Sequence, residues 1–162
     1  MIETVIVSDT SPLIGLARIR KLNLLREMSA RVVVPRAVWD EVVAGGPNAA
    51  GVSEIVSATW IEIIAPPPAA VDPLRILVDR GEAESMALAL SIAKAVLLVD
   101  DARARRLAQR LGIARIGSVG LLRRAKQMGL IARLKPELEA LQANGIYMSK
   151  QLFDEVLKSV GE

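Results

Sequence analysis

The sequence predicts an α/β protein with a three-layer α/β/α arrangement, in which helices cover both faces of a central parallel sheet. Short runs of β-branched and aliphatic residues, such as TVIVS at 4–8 and AVLLV at 95–99, are typical of strands buried on both faces. Stretches with helical periodicity separate these runs along the chain. Because parallel strands need a crossover connection, usually a helix, this alternation indicates a parallel sheet.

The first half of the chain contains three predicted strands and the helices that separate them. The strands are short apolar runs at residues 4–8, 31–35 and 60–64. Helical patterns occupy residues 11–19, 22–28, 36–44 and 52–58. We expect the first helix to begin with Ser11 as its N-cap and Pro12 at its first position. The glycine-rich stretch 45–51 is predicted to be a loop, and the proline-rich stretch 65–73 a connector.

The second half repeats the alternation and then ends in helices. The predicted order is a strongly apolar helix at 81–94, a strand at 95–99, a helix at 102–111, a strand at 112–117 and a helix at 119–127. Two amphipathic helices follow at 136–144 and 149–160, the second capped by Ser149. The chain shows no repeat and no domain-sized change of composition. Residues 1–162 are therefore predicted to form one domain, with a core at about 4–131 and C-terminal helices at 136–160.

Histidine and cysteine are both absent from the sequence. Their absence excludes Ser-His-Asp and Cys-His catalysis, zinc sites built on imidazole or thiolate, and disulfides. Any catalysis must depend on carboxylates, hydroxyls, Lys, Arg or a bound ion. Carboxylate ligands without imidazole or thiolate favour a hard cation such as Mg²⁺ or Mn²⁺.

The apolar content is high for a chain without a predicted membrane span. Hydrophobic residues make up 52% of the sequence, and the mean hydropathy is +0.36. The best candidate span, residues 83–99, is too short and contains Glu84 and Lys94, and the N-terminus has no features of a signal peptide. We therefore predict a cytoplasmic protein without membrane contact, which the lack of cysteine fits. Such apolar content also favours a homo-oligomer, because a second subunit would cover part of the apolar surface.

Positive charge is concentrated in one part of the sequence. Residues 102–135 contain ten basic and no acidic side chains, whereas the rest of the chain has eleven basic and eighteen acidic ones, a net charge of −7. This asymmetry favours a surface that faces a polyanion, typically nucleic acid. Solvated arginines on exposed helix faces are the alternative interpretation. Arg103, Arg105 and Arg106 stand at the start of this stretch, directly after an acidic pair.

Acidic residues end two of the predicted strands. Asp9 follows the strand at 4–8, and Asp100 and Asp101 follow the strand at 95–99. Ligands of open parallel sheets bind at the carboxyl ends of the strands, so these acids are predicted neighbours although they are far apart in sequence. Asp9 alone also fits a turn or cap. One acid of the Asp100–Asp101 pair fits a helix cap, which leaves the other without that structural role.

Two other places in the sequence offer acids for the same site. Glu41 lies in a predicted helix, and Glu82 and Glu84 open another, where solvation or the helix dipole also explains them. At about 100° per residue, Glu82 lies on the side of Met86 and Leu90, whereas Glu84 points away from it. A carboxylate on the inward face needs an ion or hydrogen bonds to compensate its charge. Glu82 is therefore preferred to Glu84.

A cluster of four carboxylates favours a bound divalent cation. Without an ion the carboxylates repel one another, which raises the pKa of at least one of them and destabilises the fold. One or two Mg²⁺ ions remove that penalty and supply the chemistry for phosphodiester hydrolysis. Arginines nearby would bind the phosphates of the scissile strand.

Five motifs follow one another along the chain: SDTSPLIGL at 8–16, VPRAVWDEV at 34–42, GEAESMALAL at 81–90, VLLVDDARARRLAQRLG at 96–112 and GSVGLLRRAKQMGLI at 117–131. As an ordered set they resemble the PIN domain family, in particular the branch close to the VapC-type toxin ribonucleases of prokaryotic toxin–antitoxin pairs. The resemblance covers about residues 4–131 and extends more loosely over the last 30. It implies a ribonuclease H-like α/β/α sandwich and a Mg²⁺- or Mn²⁺-dependent ribonuclease that cuts single-stranded RNA. Members of this branch commonly form dimers, and a small antitoxin protein silences the toxins.

The resemblance also implies which residues form the site. The first-strand Asp of the family corresponds to Asp9 and its early-helix Glu to Glu41. The acid that starts the long helix, often Asp in the family, corresponds to Glu82, and the last-strand acid corresponds to Asp100. These four are the predicted catalytic residues. The predicted metal ligands are the same four together with Glu84 and Asp101, which remain alternatives to their neighbours.

Substrate contacts are predicted next to these acids. Family members use the small hydroxyl after the first Asp, which is Thr10 or Ser11 in this sequence. We assign substrate binding to Ser11 and to the arginines that would bind phosphates: Arg103, Arg105 and Arg106.

Two other functions compete with the nuclease hypothesis. One is a non-catalytic PIN-like module that binds RNA or a partner protein through its basic face; the presence of acids at all four positions argues against it. The other is a receiver-type phosphoacceptor domain, which also gathers acids at strand ends. It is disfavoured because the predicted strand at 112–117 offers Arg115 and not the Lys that such a site needs.

Overall fold

Parallel strands form the central sheet in the computed structural model, which describes residues 3–162. The strands are β1 (Val5–Ser8), β2 (Arg31–Pro35), β3 (Ile61–Ile64), β4 (Ala95–Leu98) and β5 (Arg115–Ile116). Their order across the sheet is β3-β2-β1-β4-β5, and each neighbouring pair is parallel. The predicted fold class, a three-layer α/β/α sandwich with a central parallel sheet, is confirmed.

The helices lie close to their predicted places. They are α1 (Thr10–Arg18), α2 (Leu24–Met28), α3 (Arg36–Ala44), α4 (Val52–Ser57), α5 (Pro68–Val71), α6 (Arg80–Ser91), α7 (Ala102–Arg110), α8 (Ser118–Gln127), α9 (Lys135–Ala143) and α10 (Lys150–Ser159), with a 3-10 turn at Leu74–Ile76. Ser149 caps α10 as predicted, because its hydroxyl accepts a hydrogen bond from the backbone N–H of Leu152 at 3.1 Å. No helix within residues 3–162 combines the length and apolar character that a bilayer crossing requires.

Alternation along the strands divides the core between the two faces of the sheet. Ile6, Val32 and Val34 pack on one face against side chains of α1–α4 and α8–α10. Val7 and Val33 pack on the other face against α6 and α7. Successive side chains of a strand point to opposite faces, so apolar runs without alternation produce strands that are buried on both sides.

Several predicted boundaries were wrong; the strand predicted at 112–117, for example, is only Arg115–Ile116. Helix α1 begins at Thr10 with Asp9 in the N-cap position, so Ser11 is not the cap, and Pro12 still lies in the first turn, where a missing N–H is tolerated. The connector at 65–73 contains the short helix α5, with proline at its start. Helix α6 ends at Ser91 and not at 94, because the chain is extended at Ile92 before it enters β4.

Candidate active site

The carboxyl ends of β1 and β4 are adjacent at one edge of the sheet. Ser8 lies opposite Leu98, and the backbone N–H of Asp9 donates to the carbonyl oxygen of Leu98 at 3.0 Å. The strand order reverses between these two strands, and open α/β sheets bind their ligands at such a switch point. Asp9 and Asp100 each follow one of these strands, so the chain places both acids at the binding edge of the fold.

Asp9 is a buried carboxylate whose environment disfavours its charge. The residue is 8% exposed and, although it occupies the N-cap position of α1, its side chain makes no capping hydrogen bond. The pKa of Asp9 is raised from 3.8 to about 7, chiefly by burial, while the backbone N–H of Thr10 acts in the opposite direction. The negative charges of Glu82, Asp79 and Glu41 contribute to the rise. Asp9 thus lies within an acidic cluster.

The hydroxyl next to Asp9 has no hydrogen-bond partner. The Oγ1 atom of Thr10 is buried, and no donor or acceptor in residues 3–162 reaches it. Ser11, the predicted substrate contact, is exposed on the first turn of α1. Buried polar groups are normally satisfied, so an unpaired hydroxyl beside a buried acid favours a ligand at this place. Of the two alternatives, Thr10 is the hydroxyl that faces inward.

Glu82 forms a capping box with Asp79 at the start of α6. The Asp79 carboxylate accepts from the N–H of Glu82 at 2.8 Å, and the Glu82 carboxylate accepts from the N–H of Asp79 at 3.2 Å. Burial raises the pKa of Glu82, and the charges of Asp79, Asp101 and Glu41 add to this effect. Glu82 is therefore a partly buried acid that interacts with acids from three other places in the chain.

Glu84 is more deeply buried than Glu82, so the sequence argument about the inward face of α6 was wrong. Glu84 is 6% exposed, and its two carboxylate oxygens accept from the N–H of Ala37 and the Nε of Arg80, both at 3.0 Å. Its charge is compensated by a hydrogen bond and an ion pair with the protein. The carboxylate of Glu84 therefore holds α6 to the start of α3.

Glu41 approaches the first turn of α6 from α3. The residue is exposed, and a Cβ atom built on Gly81 would lie 2.8 Å from its Oε1 atom. Only glycine leaves room for this carboxylate so close to the backbone. Gly81 therefore allows Glu41 to reach the acidic cluster of Asp9 and Glu82.

Asp100 and Asp101 both have structural partners, contrary to the expectation that one of them would lack such a role. Asp101 caps α7, with Oδ2 accepting from the N–H of Ala104 at 2.8 Å. Asp100 accepts from the N–H of Ser118 at 2.7 Å and from its hydroxyl at 2.6 Å. Asp101 also lines a cavity with Asp79 and Glu82, so it remains at the edge of the site.

The basic stretch 102–135 is divided between two sides of the molecule. A Cβ atom on Gly117 would lie 2.6 Å from Nη1 of Arg105 and 3.0 Å from Oδ1 of Asp100, so this arginine reaches the end of β5 next to Asp100. Arg103 and Arg106 line cavities beside the acids. Other members lie elsewhere: Arg123 donates to Ser159, and Lys126 and Arg133 pair with Glu162.

A family model described as a PIN domain matches residues 5–162. The chain belongs to the PIN domain family. PIN domains are generally nucleases and typically use divalent metal ions. Comparison with curated proteins and with solved structures gave no significant match.

The donor atoms of this PIN domain fit a hard divalent cation. Asp9, Glu41, Glu82 and Asp100 offer carboxylate oxygens, and Thr10 offers an unpaired buried hydroxyl. In the described part of the chain, no three acidic side chains lie close enough to enclose an ion. Mg²⁺ typically takes one or two carboxylates together with water and substrate phosphates, so an open arrangement suits it better than a closed cage.

Two residues of this PIN domain site were missed by the sequence analysis. The charge of Asp79 raises the pKa of both Asp9 and Glu82. The spacing Asp-x-x-Glu at 79–82 is typical of a capping box and could have identified this residue. Ser118 holds the Asp100 carboxylate from 18 positions away. Its place at the start of α8, just after β5, meets Asp100 only through tertiary structure, and its spacing carries no signal in the sequence.

Proposed function

We propose that this PIN domain is a Mg²⁺- or Mn²⁺-dependent endoribonuclease that cleaves single-stranded RNA. The observation that carries the proposal is the position of Asp9. It is a buried acid at the switch point of the sheet, and the charges of Glu82, Asp79 and Glu41 act on it. A buried acid whose charge is disfavoured in this way is typical of a functional site, and a bound cation would compensate its charge.

Asp9, Glu41, Glu82 and Asp100 are the proposed metal-holding residues. Glu84 is the weaker candidate because both of its oxygens are engaged by Ala37 and Arg80. When bound, the ion supplies activation of water and stabilisation of the charge that develops on the scissile phosphate. The chain itself contributes the orientation of the acids, through the capping box at Glu82 and the two hydrogen bonds at Asp100.

Arginines beside the acids are the proposed phosphate contacts. Arg103 and Arg106 are exposed and line cavities at the acidic edge, and Arg105 reaches the neighbourhood of Asp100. A guanidinium group binds phosphate through parallel N–H donors, which positions the strand without reading its sequence. Ser11, exposed at the start of α1, is the proposed polar contact of the substrate.

We also propose that the chain acts in the cytoplasm as the toxin of a toxin–antitoxin pair, as a homodimer that a small antitoxin protein silences. The ordered motifs shared with the VapC-type branch support this proposal. Val56 and Tyr147 are exposed apolar side chains that a partner protein would cover, which supports this proposal. Growth arrest on expression of the wild-type chain, relieved by Asp9→Asn, is the expected result in cells. Arrest that persists in the variant would contradict a toxic nuclease.

A non-catalytic RNA- or protein-binding module is the second candidate. The observation that favours it is the open spacing of the acids, since no three of them enclose an ion in residues 3–162. In that case the basic edge would bind a polyanion and the acids would have no catalytic role. Binding of RNA without cleavage is the result that would identify this function.

The decisive experiment is cleavage of labelled single-stranded RNA by purified protein with Mg²⁺ or Mn²⁺. We expect cleavage that EDTA abolishes and that Asp9→Asn slows by at least about 100-fold. Asp154→Asn is the matched control, because it removes one exposed carboxylate on α10. Cleavage that survives both EDTA and Asp9→Asn would overturn the proposal.

A further inference from the structure

Three neighbouring cavities lie along the edge of the sheet that carries the acids. The first, about 330 Å³, is lined by Arg36, Arg75 and Arg80 and by two acids, Asp72 and Glu84, of which Glu84 pairs with Arg80. The second, about 390 Å³, is lined by Asp79, Glu82 and Asp101 together with Arg75 and Arg103. The third, about 290 Å³, is lined by Arg103 and by two further arginines of α7, Arg106 and Arg110. Arg75 lines both the first and the second cavity and Arg103 lines both the second and the third, so the three cavities adjoin one another.

We infer that these cavities form one trough, the arginine trough, that holds a single strand of nucleic acid on both sides of the acidic centre. The inference rests on the proposed function and extends it. Sequence patterns predict substrate contacts only at Ser11 and at the start of α7. The trough adds an opposite bank, which α3, the 3-10 turn and α6 build around Arg36, Arg75 and Arg80.

The charge of the trough suits a polyanion that crosses the acids. Arg75, Arg103, Arg106 and Arg110 are exposed, and none of them makes an ion pair within the described residues. Acids at the centre repel phosphate, so a strand is held there only if cations flank the acids on both sides. The arginines of α7 are spaced by three and four residues and therefore share one face over about 10 Å of helix.

The apolar residues of the trough favour a single strand over a duplex. Ile76 is 84% exposed and Leu77 is 48% exposed, and both line the second cavity between Arg75 and the acids. Bases of a single strand are free to contact apolar side chains and guanidinium planes, whereas a duplex hides their faces. Large apolar side chains next to unpaired arginines thus provide contacts for bases as well as for phosphates.

The test is equilibrium binding of a labelled single-stranded RNA in EDTA, where cleavage does not interfere, over a series of salt concentrations. Arg75→Ala and Arg106→Ala each remove one cation, from opposite banks of the trough. We expect each to weaken binding by about 10-fold and to reduce the slope of log K against log salt by about 0.7. Ile76→Ser should weaken binding without changing the slope, because it removes an uncharged contact. Arg123→Ala, whose side chain reaches Ser159, is the matched control and should change neither.

Each outcome decides the inference. An effect of Arg106→Ala without an effect of Arg75→Ala would overturn the two-sided trough, as would wild-type binding no tighter than that of the variants. Unchanged RNA binding by Ile76→Ser would overturn the contacts between bases and the apolar pair. If the variants behave as expected but wild-type protein with Mg²⁺ or Mn²⁺ does not cleave the RNA, the trough stands and the nuclease proposal fails.

Discussion

Asp100 and Ser118 are joined by two hydrogen bonds that connect the ends of β4 and β5. The backbone N–H of Ser118 donates to Oδ1 at 2.7 Å, and its hydroxyl donates to Oδ2 at 2.6 Å. Because each oxygen has its own donor, the plane of the carboxylate is fixed. Ser118 is fully buried, so water does not compete for these bonds. Ser118 therefore orients Asp100, the last acid of the proposed metal set.

Loss of the Ser118 hydroxyl should impair catalysis more than stability. Ser118→Ala removes the bond to Oδ2 and keeps the backbone bond, so the carboxylate is free to rotate. We expect about a 10-fold lower kcat and a higher Mg²⁺ concentration for half-maximal activity, since second-shell hydrogen bonds of metal ligands have effects of this size. Ser29→Ala removes a buried hydroxyl that donates to Leu25 and is the matched control. An unchanged metal requirement would show that Ser118 is only structural.

Glu82→Gln should mainly reduce activity, whereas Glu84→Gln should mainly reduce stability. Glutamine also forms a capping box, so Glu82→Gln should retain stability while activity falls by at least about 10-fold through loss of a metal-holding charge. Glu84→Gln has one acceptor oxygen for two donors, Ala37 N–H and Arg80, so it should lower the free energy of unfolding by about 1–3 kcal/mol. Urea denaturation and cleavage rates measure the two effects. Equal losses of activity per folded molecule would contradict the assignment.

Substitution of Asp100 and of Asp101 should also have different effects on cleavage. Asn is as good an N-cap as Asp, so Asp101→Asn should keep the bond from Ala104 and leave both stability and cleavage within about threefold of wild type. Asp100→Asn should reduce cleavage by at least about 10-fold, because an amide is a weak ligand for a hard cation. A larger loss of cleavage in Asp101→Asn than in Asp100→Asn would reverse the assignment of the fourth acid.

The pKa of Asp9 should make the metal-free protein more stable at acidic than at neutral pH. The pKa of about 7 in the folded state lies above the ordinary 3.8, so between these values the folded chain holds a proton that the unfolded chain has released. The free energy of unfolding should therefore decrease as pH rises from about 4 to 7, by at most about 4 kcal/mol from this group. Urea denaturation in EDTA measures it. Asp9→Asn should weaken this pH dependence; an identical dependence in the variant would contradict the shift.

The sequence predicted the elements and strand ends well because they depend on local patterns. The run TVIVS followed by Asp9 identifies a buried strand with an acid at its end, and helix α3 has the predicted limits at 36–44. The buried face of α6 could not be predicted from a local pattern. Helix α6 packs on more than one side, so residues 83–88 are all buried, whereas Leu90, used to define the inward stripe, is 54% exposed. An apolar stripe identifies the buried face only for a helix packed on one side.

Contacts in the site between residues far apart in sequence could not be predicted from local patterns either. Ser118 and Gly117 meet Asp100 and Arg105 only because β5 pairs with β4. The basic stretch 102–135 forms one block in the sequence, yet α7 carries its arginines to the acids while Arg123 turns to α10. Spacing determines which residues share a helix face, and packing determines which of these faces reach the site.

Metal binding should stabilise the protein, and the effect should depend on Asp9 and on pH. An ion that binds only the folded state stabilises it by about 2.7 kcal/mol at a concentration of 100 times Kd, which a rise in Tm measures. At pH 8 the Asp9 carboxylate is ionised, since its pKa is about 7. At pH 6 it holds a proton that the ion must displace, which weakens apparent affinity by about tenfold. Mg²⁺ should therefore raise Tm more at pH 8 than at pH 6 and raise it least in Asp9→Asn. If Asp154→Asn, which keeps every acid of the site, lost the effect as well, the stabilisation would come from general screening of charge and not from an ion held by Asp9.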